Sequence, residues 1–328
     1  MTRGPATRVG VGQKHDNVLV WHVGGVRSGM LGTLAMCIAF LAACGQAGDR
    51  SPDEPAARTP VPAPRVALSA DDRELWVRGP PSRAAVPALV YRGPAPEDFA
   101  RQMILLDHAG YETITLETFV RFVKREEVSL PPRPLLLTFD GGRLDSWTGT
   151  DAILRRLSFT AVLFVDVGRV EQADPEYLTW RDLSRLQGTS RWDVQLQSGT
   201  GHRQIQYGPS PDDVGPFYAY RGSEEVLGGW RERVFSDITY GEEQLAHHVQ
   251  GYRPLAFAPP YGNYGQAGTN DRRIPRQLLA RLLLSFQVVF TQDRSGFASP
   301  GSANPLGRIE VARDVTEAEL HTLLAPAG

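Results

Sequence analysis

The sequence predicts an α/β protein in which helices cover a parallel sheet or barrel. Strand-like apolar runs alternate with helix-like segments over residues 86–324, an order typical of parallel strands joined by right-handed crossovers. In addition, the apolar run at residues 135–139 ends abruptly in Asp140, Gly141 and Gly142. Such a run predicts a buried strand, and the carboxyl ends of such strands carry the active site in α/β barrels.

Each element follows from a local pattern. Residues 86–91 predict the first strand, and residues 96–109 predict a helix with Phe99, Met103 and Leu106 on one face. A short strand at 111–114 precedes a helix at 115–124, for which Thr115 is the N-cap residue. Beyond the run at 135–139, we expect helices at 150–157, 180–186, 230–249, 274–284 and 316–324. We expect strands at 160–167, 192–196, 255–258, 288–291 and 307–311.

Composition narrows the class of protein. A chain of 328 residues can bury a sizeable core. The net charge of −2 gives no support for a nucleic-acid partner. Only two cysteines occur, Cys37 and Cys44, and both precede the folded part. The body of the protein therefore has no disulfide framework and no cysteine-rich metal site.

The N-terminal region is typical of a processing segment. Residues 30–43 form an apolar run that is too short for a transmembrane helix. The run closes in Leu41-Ala42-Ala43-Cys44-Gly45, which resembles a bacterial lipobox and implies lipidation of Cys44. An ordinary signal peptide with an incidental cysteine is the alternative. We therefore divide the chain into a lipoprotein signal peptide (1–44), a Pro/Ala-rich tether (45–65) and a folded domain (66–328), placed outside the cytoplasm and anchored to the membrane.

The run at 135–142 leads to a family. Thr138, Phe139, Asp140 and Gly141 resemble the first motif of NodB-like polysaccharide deacetylases, Thr-Phe-Asp-Asp-Gly. The segments 86–93, 161–165, 257–262 and 308–311 are similar to further conserved parts of this family in the same order, and the resemblance is strongest to the branch that acts on poly-N-acetylglucosamine. It covers nearly all of residues 86–324 and implies a distorted (β/α) barrel of the polysaccharide deacetylase (NodB-homology) type.

The resemblance also implies a catalytic base and a metal site. Asp140 matches the family's base, and one Asp and two His hold a divalent metal such as Zn²⁺. Here Gly141 stands at the position of the metal-binding Asp. Residues 197–202 resemble the second motif, in which Gln197 replaces the first His and His202 matches the second. Because a catalytic metal needs about three protein ligands, we expect a degenerate metal site.

Alternatives exist for each of these residues. Asp140 could instead cap the turn that follows its strand, and His202 could be a hydrogen-bonding residue of the pocket. Asp145 could replace the missing metal ligand, or it could be the N-cap of the next helix.

Two further segments predict a glycan-binding groove. Residues 257–262 resemble the family's third motif, so we expect one wall of the groove to consist of Pro259, Pro260, Tyr261 and Gly262. The loop between His202 and Trp230 is rich in aromatic residues, and rings of this kind stack on the apolar faces of sugars. The candidate glycan contacts are Tyr207, Tyr218 and Tyr220. The alternative is that these rings pack on the rim of the barrel.

The sequence thus supports two functions. The first is a cell-surface lipoprotein of the deacetylase family that acts on, or binds, a glycan containing N-acetylglucosamine, with amide hydrolysis if the site is active. The second is a catalytically inactive carbohydrate-binding or scaffolding module for exopolysaccharide or cell-wall machinery. A glycosidase needs two carboxylates across a cleft, and the sequence offers no convincing second one.

Overall fold

The computed structural model describes residues 58–325. The predicted signal peptide with Cys44, and the tether up to residue 57, lie outside the described residues. From Arg58 onward the predicted tether contacts the barrel. The Arg58 Nη1 atom donates to the Tyr177 carbonyl at 2.7 Å, and the Val61 amide donates to the Thr148 carbonyl at 2.8 Å. Ordered contacts therefore begin before residue 66.

Parallel strands form a ring, which confirms the predicted fold class. The strands of the described residues are β1 (Val86–Tyr91), β2 (Tyr111–Thr113), β3 (Arg133–Gly141), β4 (Ala161–Asp166), β5 (Trp192–Ser198), β6 (Gln204–Gln206), β7 (Val214–Pro216), β8 (Ala256–Phe257), β9 (Val288–Thr291), β10 (Phe297–Ala298), β11 (Leu306–Gly307) and β12 (Ile309–Glu310). Strands β1, β3, β4, β5, β8, β9 and β11 pair in this order. The ring closes because β12 pairs with β1 in parallel. Arg308 lies between β11 and β12, at the closure.

Four strands extend or leave this ring. Strand β2 pairs with β3 in parallel, and β10 pairs with β1 in the antiparallel direction. Strands β6 and β7 form a separate antiparallel hairpin, which lies in the long connection after β5. The sequence did not predict this hairpin.

Helices connect and cover the strands. The helices of the described residues are α1 (Ala70–Leu75), α2 (Pro96–His108), α3 (Leu116–Val123), α4 (Leu144–Thr148), α5 (Asp151–Leu157), α6 (Val167–Glu171), α7 (Trp180–Gly188), α8 (Leu227–His248), α9 (Ile274–Ser285) and α10 (Glu317–Leu323). A short 3₁₀ turn covers Pro260–Gly262. Over residues 58–325, no helix has the length and apolar character needed to cross a membrane.

The alternating side chains of β3 separate two apolar clusters. Leu135, Leu137 and Phe139 belong to the cluster between the strands and the outer helices. Leu136 belongs to a second cluster, which fills the inside of the ring together with Val162, Phe164 and Phe290, among others. Helix α3 contributes to this second cluster and so covers one end of the barrel. We call this apolar interior the barrel floor.

At the other end, the inward positions of β3 become polar. Side chains alternate along a strand, so Thr138 and Asp140 follow Leu136 on the inner face. Both are buried, and Asp140 is 4 % exposed. This end, formed by the carboxyl ends of the parallel strands, is called the barrel mouth below.

Candidate functional site

A cavity of about 470 Å³ opens at the barrel mouth. It gathers residues from several strand ends, as expected for a parallel barrel. Its lining residues are Arg92, Asp140, Gly141, Arg143, Tyr177, Gln197, His202, Tyr261, Gln292 and Glu310. The structure therefore brings five residues that the sequence singled out into one site: Asp140, Gly141, Gln197, His202 and Tyr261.

Asp140 is held by a buried arginine. The Arg308 Nη1 atom donates to Asp140 Oδ1 at 2.7 Å, and Nη2 donates to Oδ2 at 2.9 Å. Both side chains are almost fully buried, at 1 % and 3 % exposure. The guanidinium carbon of Arg308 also lies 5.2 Å from the Phe164 ring centre and 5.5 Å from that of Phe290. Charge-assisted bonds in this two-pronged arrangement are strong and directional, so both oxygens of the predicted base are engaged.

A second arginine reaches Asp140 from the rim of the cavity. The Arg92 Nη2 atom lies 3.4 Å from Asp140 Oδ2, and its Nη1 atom donates to Glu310. Gln292 Nε2 donates to the other oxygen of Glu310 at 3.4 Å. One face of the cavity is therefore a network of charged and amide groups around the carboxylate of Asp140.

Asp145 has neither of the two roles considered for it. Its carboxylate accepts from Arg143 Nε and Nη2, both at 3.1 Å, and lies 3.7 Å from Arg313 Nη2. It does not line the cavity, so the expectation of a replacement metal ligand is not met. The N-cap of α4 is Arg143, so the capping interpretation is wrong. The carboxylate of Asp145 forms ion pairs instead, because Arg143, two residues before it, and Arg313, from the C-terminal part of the chain, both lie beside it.

His202 is positioned by a loop that Asp237 of α8 holds. The Asp237 carboxylate accepts from the amides of Gly199, at 3.1 Å, and Thr200, at 2.6 Å. The Nδ1 atom of His202 lies 3.6 Å from Asp166 Oδ2, and its ring meets Tyr261 edge-on, with 5.1 Å between centroids. Burial lowers the pKa of the His202 imidazole, an effect that the nearby Asp140 opposes.

Asp166, at the end of β4, supports His202 from behind. Ser198 Oγ donates to Asp166 Oδ1 at 3.0 Å. Burial raises the pKa of the Asp166 carboxyl to about 6, while the Ser198 hydrogen bond acts in the opposite direction. Asp166 and His202 therefore form a contact in which both groups are disfavoured in their charged forms. No pattern in the sequence distinguishes Asp166, since a strand-end Asp is common in turns.

The donor set of this cavity does not fit the divalent metal that the family resemblance implies. Gly141 has no side chain, and its φ of 96° disfavours any residue with a Cβ at that position. Gln197 is 2 % exposed and its Oε1 atom has no hydrogen-bond partner, but a neutral amide oxygen is a weak ligand for Zn²⁺. Across the described residues, no cluster of three or more His, Cys, Asp or Glu side chains could hold a metal ion. His202 is the single imidazole in the lining of the cavity, which also contains the guanidinium groups of Arg92 and Arg143.

Of the four residues expected to form the groove wall, Tyr261 alone lines the cavity. Tyr261 is 47 % exposed and lines the cavity, whereas Pro259, Pro260 and Gly262 are buried beneath it. Tyr177, which the sequence did not single out, supplies a second ring to the lining.

The aromatic loop does not reach this cavity. Tyr218 is 1 % exposed, and its hydroxyl donates to Asp237, so the expectation of a glycan contact fails there. Tyr207 and Tyr220 stack on each other, with 4.6 Å between centroids, and neither lines the cavity. Tyr207 and Tyr220 therefore pack against each other and not against the lining of the cavity.

Sequence reasoning missed the role of Arg308. The segment 308–311 was assigned only to the closing strand. A buried arginine requires a partner, but the burial of Arg308 is visible only in the structure. Its partner could not be identified from the sequence, since 168 positions separate the two residues.

The fold has clear counterparts among solved structures. A de-N-acetylase from Aggregatibacter actinomycetemcomitans superposes with a TM-score of 0.63 at 13 % identity, covering 73 % of this chain and 100 % of the other. IcaB from Ammonifex degensii gives 0.58 at 20 % identity, covering 75 % and 98 %. The BpsB deacetylase domain from Bordetella bronchiseptica gives 0.59 at 19 % identity, covering 71 % and 98 %.

These similarities establish the fold, which is that of polysaccharide deacetylases. No family model matches the chain, and no curated protein matches it either. The activity must therefore be argued from the residues of the cavity.

Proposed function

We propose that this protein is an extracytoplasmic glycan-binding protein built on the polysaccharide deacetylase fold. Its ligand is a polysaccharide containing N-acetylglucosamine, which enters the cavity at the barrel mouth, and it does not hydrolyse the acetamide by the metal-dependent route. The observation that carries this proposal is the donor set of the cavity, where Gly141 has no side chain and Gln197 offers only a neutral amide to a metal. The two hydrogen bonds from Arg308 hold the Asp140 carboxylate in a fixed orientation.

Amide hydrolysis makes demands that this cavity meets poorly. It requires an activated water, a group that accepts the proton of that water, and stabilisation of the oxyanion. A bound divalent metal would supply the first and third of these, but Gly141 and Gln197 provide no strong ligand. Asp140 would have to accept the proton while both of its oxygens receive hydrogen bonds from Arg308. The chemistry of the residues thus favours binding over turnover.

The same cavity is well suited to a sugar. Its volume of about 470 Å³ lies within the usual range for small-molecule sites, roughly 300–1,000 Å³. The rings of Tyr261 and Tyr177 can contact the apolar faces of a pyranose. Gln197, Gln292 and Glu310 offer amide and carboxylate groups to hydroxyls and to an acetamide. The unpartnered Oε1 atom of Gln197 would gain a hydrogen bond if a ligand N–H or O–H reached it.

The test combines binding with turnover. Oligomers of N-acetylglucosamine should bind to the purified protein by calorimetry, without release of acetate in the presence of added Zn²⁺ or Co²⁺. Asp140→Asn should leave the absence of turnover unchanged. Metal-dependent acetate release that Asp140→Asn abolishes would show an active deacetylase and overturn the proposal.

Amide hydrolysis is kept as the second candidate because of one observation. Asp140 and His202 line the same cavity, as a base and an imidazole would in an active site. If this candidate is right, His202→Ala should abolish acetate release. If only binding changes, His202 is a ligand contact.

We also propose that the protein is anchored to the membrane through Cys44. The lipobox-like residues 41–45 support this, since a thioether-linked lipid would place the barrel outside the cytoplasm. Cys44→Ala should release the protein from the membrane fraction or leave an unprocessed precursor. A wild-type protein found in the cytoplasm would refute both the anchor and the extracytoplasmic location, but not glycan binding at the barrel mouth.

A further inference from the structure

A second, larger cavity lies outside the barrel, between α8 and α9. Its volume is about 780 Å³, and its lining contains five arginines and no carboxylate. We call it the arginine groove; its lining residues are Arg231, Phe235, Arg272, Arg273, Arg276, Gln277, Ala280, Arg281 and Leu284. The whole chain has a net charge of −2, so this concentration of positive charge is local.

Some of these arginines are held by neighbours. The Arg281 Nη2 atom pairs with Glu242 at 3.0 Å, and Arg273 Nη2 pairs with Asp271 at 2.7 Å. Arg231 donates to the amide oxygen of Gln277 at 3.0 Å. These contacts orient three guanidinium groups, and two carboxylates at the edge of the groove offset part of the charge.

Arg272 and Arg276 differ from the others. Within residues 58–325, neither has an ion pair or a side-chain hydrogen bond. Two guanidinium groups with free donors therefore stand beside three oriented ones. Arginine binds carboxylates through two parallel hydrogen bonds, and it loses less hydration than lysine on doing so. The groove has the chemistry of an anion-binding surface.

The shape of the groove favours an elongated ligand. From Arg273 to Leu284, α9 extends roughly 16 Å at 1.5 Å per residue. Arg272, Arg273 and Arg276 lie at the end of α9 that follows β8, which is the end nearest the barrel mouth. Leu284 is 83 % exposed and, with Phe235, gives the groove an apolar surface next to its charges. A concave channel with charged and apolar walls fits a chain of sugars better than it fits a flat lipid surface.

We propose that the arginine groove binds a segment of anionic polysaccharide that carries carboxylate groups. The guanidinium groups of Arg272 and Arg276 bind the carboxylates, and Phe235 and Leu284 contact the apolar faces of the sugar rings. This site is separate from the cavity at the barrel mouth, and the inference does not depend on the function proposed for that cavity.

The test uses oligogalacturonate and its neutral methyl ester, which share one backbone and differ in charge. The acid should bind to the purified protein and the ester should not. Arg272→Gln with Arg276→Gln should weaken binding of the acid roughly fivefold, as expected for the loss of two exposed charge contacts. The matched control is Arg155→Gln with Arg156→Gln, which removes two exposed arginines of α5 and should leave the dissociation constant unchanged.

Three results would overturn the inference. The first is equal weakening by both double variants, which would mean that binding depends on the overall charge and not on the groove. The second is no binding of oligogalacturonate at all. The third is binding to vesicles that contain anionic lipid without binding to oligogalacturonate. N-acetylglucosamine oligomers should bind equally well to the wild type and to both double variants. If these oligomers fail to bind while oligogalacturonate binds, the function proposed for the barrel mouth fails and the groove stands. Circular dichroism of each variant confirms that the fold is kept.

Discussion

The barrel floor and the barrel mouth are built from the same strands, yet they differ in how their side chains are satisfied. On the floor, Leu136, Val162 and Phe290 fill the interior by packing alone. At the mouth, the inward position after Thr138 is Asp140, and a specific partner, Arg308, must reach it. Apolar packing tolerates exchange among residues of similar volume, whereas a buried carboxylate requires one particular partner. The alternation of side chains along a strand can therefore predict an apolar barrel floor. It cannot predict which residue pairs with a buried carboxylate at the barrel mouth.

The largest expected effect comes from breaking the ion pair at the mouth. Arg308→Met should lower the free energy of unfolding by about 4 kcal/mol, because it leaves the buried Asp140 carboxylate with only the longer contact to the half-exposed Arg92. Urea denaturation measures this change. Adding Asp140→Asn should recover much of the loss, since the amide carries no charge. A single variant as stable as the wild type would show that the ion pair contributes nothing to the fold.

Creating a cavity in the barrel floor should destabilise the protein slightly less than breaking the ion pair does, and it should leave ligand binding intact. Leu136→Ala removes a fully buried side chain, and we expect a loss of about 3 kcal/mol from lost burial and the cavity left behind. The affinity for N-acetylglucosamine oligomers should not change in calorimetry. Loss of affinity in this variant would mean that floor and mouth are coupled more closely than their separate side-chain clusters indicate.

The pH dependence of stability tests the raised pKa of Asp166, the carboxyl group that contacts His202. Burial raises the pKa of Asp166 from 3.8 to about 6, so the folded state takes up a proton that the unfolded chain does not bind between these values. Stability should thus rise as the pH falls from about 6 to about 4. A pKa difference of about two between the folded and unfolded states corresponds to a stabilisation of somewhat under 3 kcal/mol, on the order of 1.4 kcal/mol for each pH unit. Asp166→Asn should remove this contribution, and the difference between the two unfolding curves against pH isolates it. Parallel curves would rule out a raised pKa.

The smallest expected effect is a change in glycan affinity, which distinguishes Tyr261 at the barrel mouth from the aromatic loop that contains Tyr207. Tyr261→Ala should weaken the binding of N-acetylglucosamine oligomers by about 1 kcal/mol, the scale of one stacking contact. Tyr207→Ala, in the loop that does not line the cavity, is the control and should leave affinity unchanged. If the control weakens binding and Tyr261→Ala does not, the glycan lies along the aromatic loop instead of at the mouth.

The fold was predictable because its signals are local. The apolar periodicity of residues 96–109 gave α2 with an error of one residue, and Thr115 caps α3 as expected. The hairpin of β6 and β7 was missed because strands of only three residues each are too short to show an alternation of apolar and polar side chains. The closing strand was expected as one element at 307–311, but it is split at Arg308. There its neighbour changes from β9 to β1.

The site was predictable in its positions and not in its interactions. Motif order placed Asp140, Gln197 and His202 at or just after the carboxyl ends of strands, and all three line one cavity. Tyr218 was misassigned because an aromatic residue in a polar loop has the same local pattern whether it faces solvent or, as here, Asp237 in the core. The pairing of Asp140 with Arg308 depends on the closure of the ring, which no local window of sequence contains.

The split closing strand has a consequence for how the chain folds. Strand β1 is complete by Tyr91, but its neighbour β12 comes more than two hundred residues later, and contacts of such sequence separation slow folding. Until residues 297–298 of β10 and 309–310 of β12 pair with it, one edge of β1 stays open to association with other chains. Arg308, which pairs with Asp140, takes its place in the barrel in the same step. We therefore expect refolding to be slow and prone to aggregation, and the ligand site to appear only with the last, rate-limiting phase.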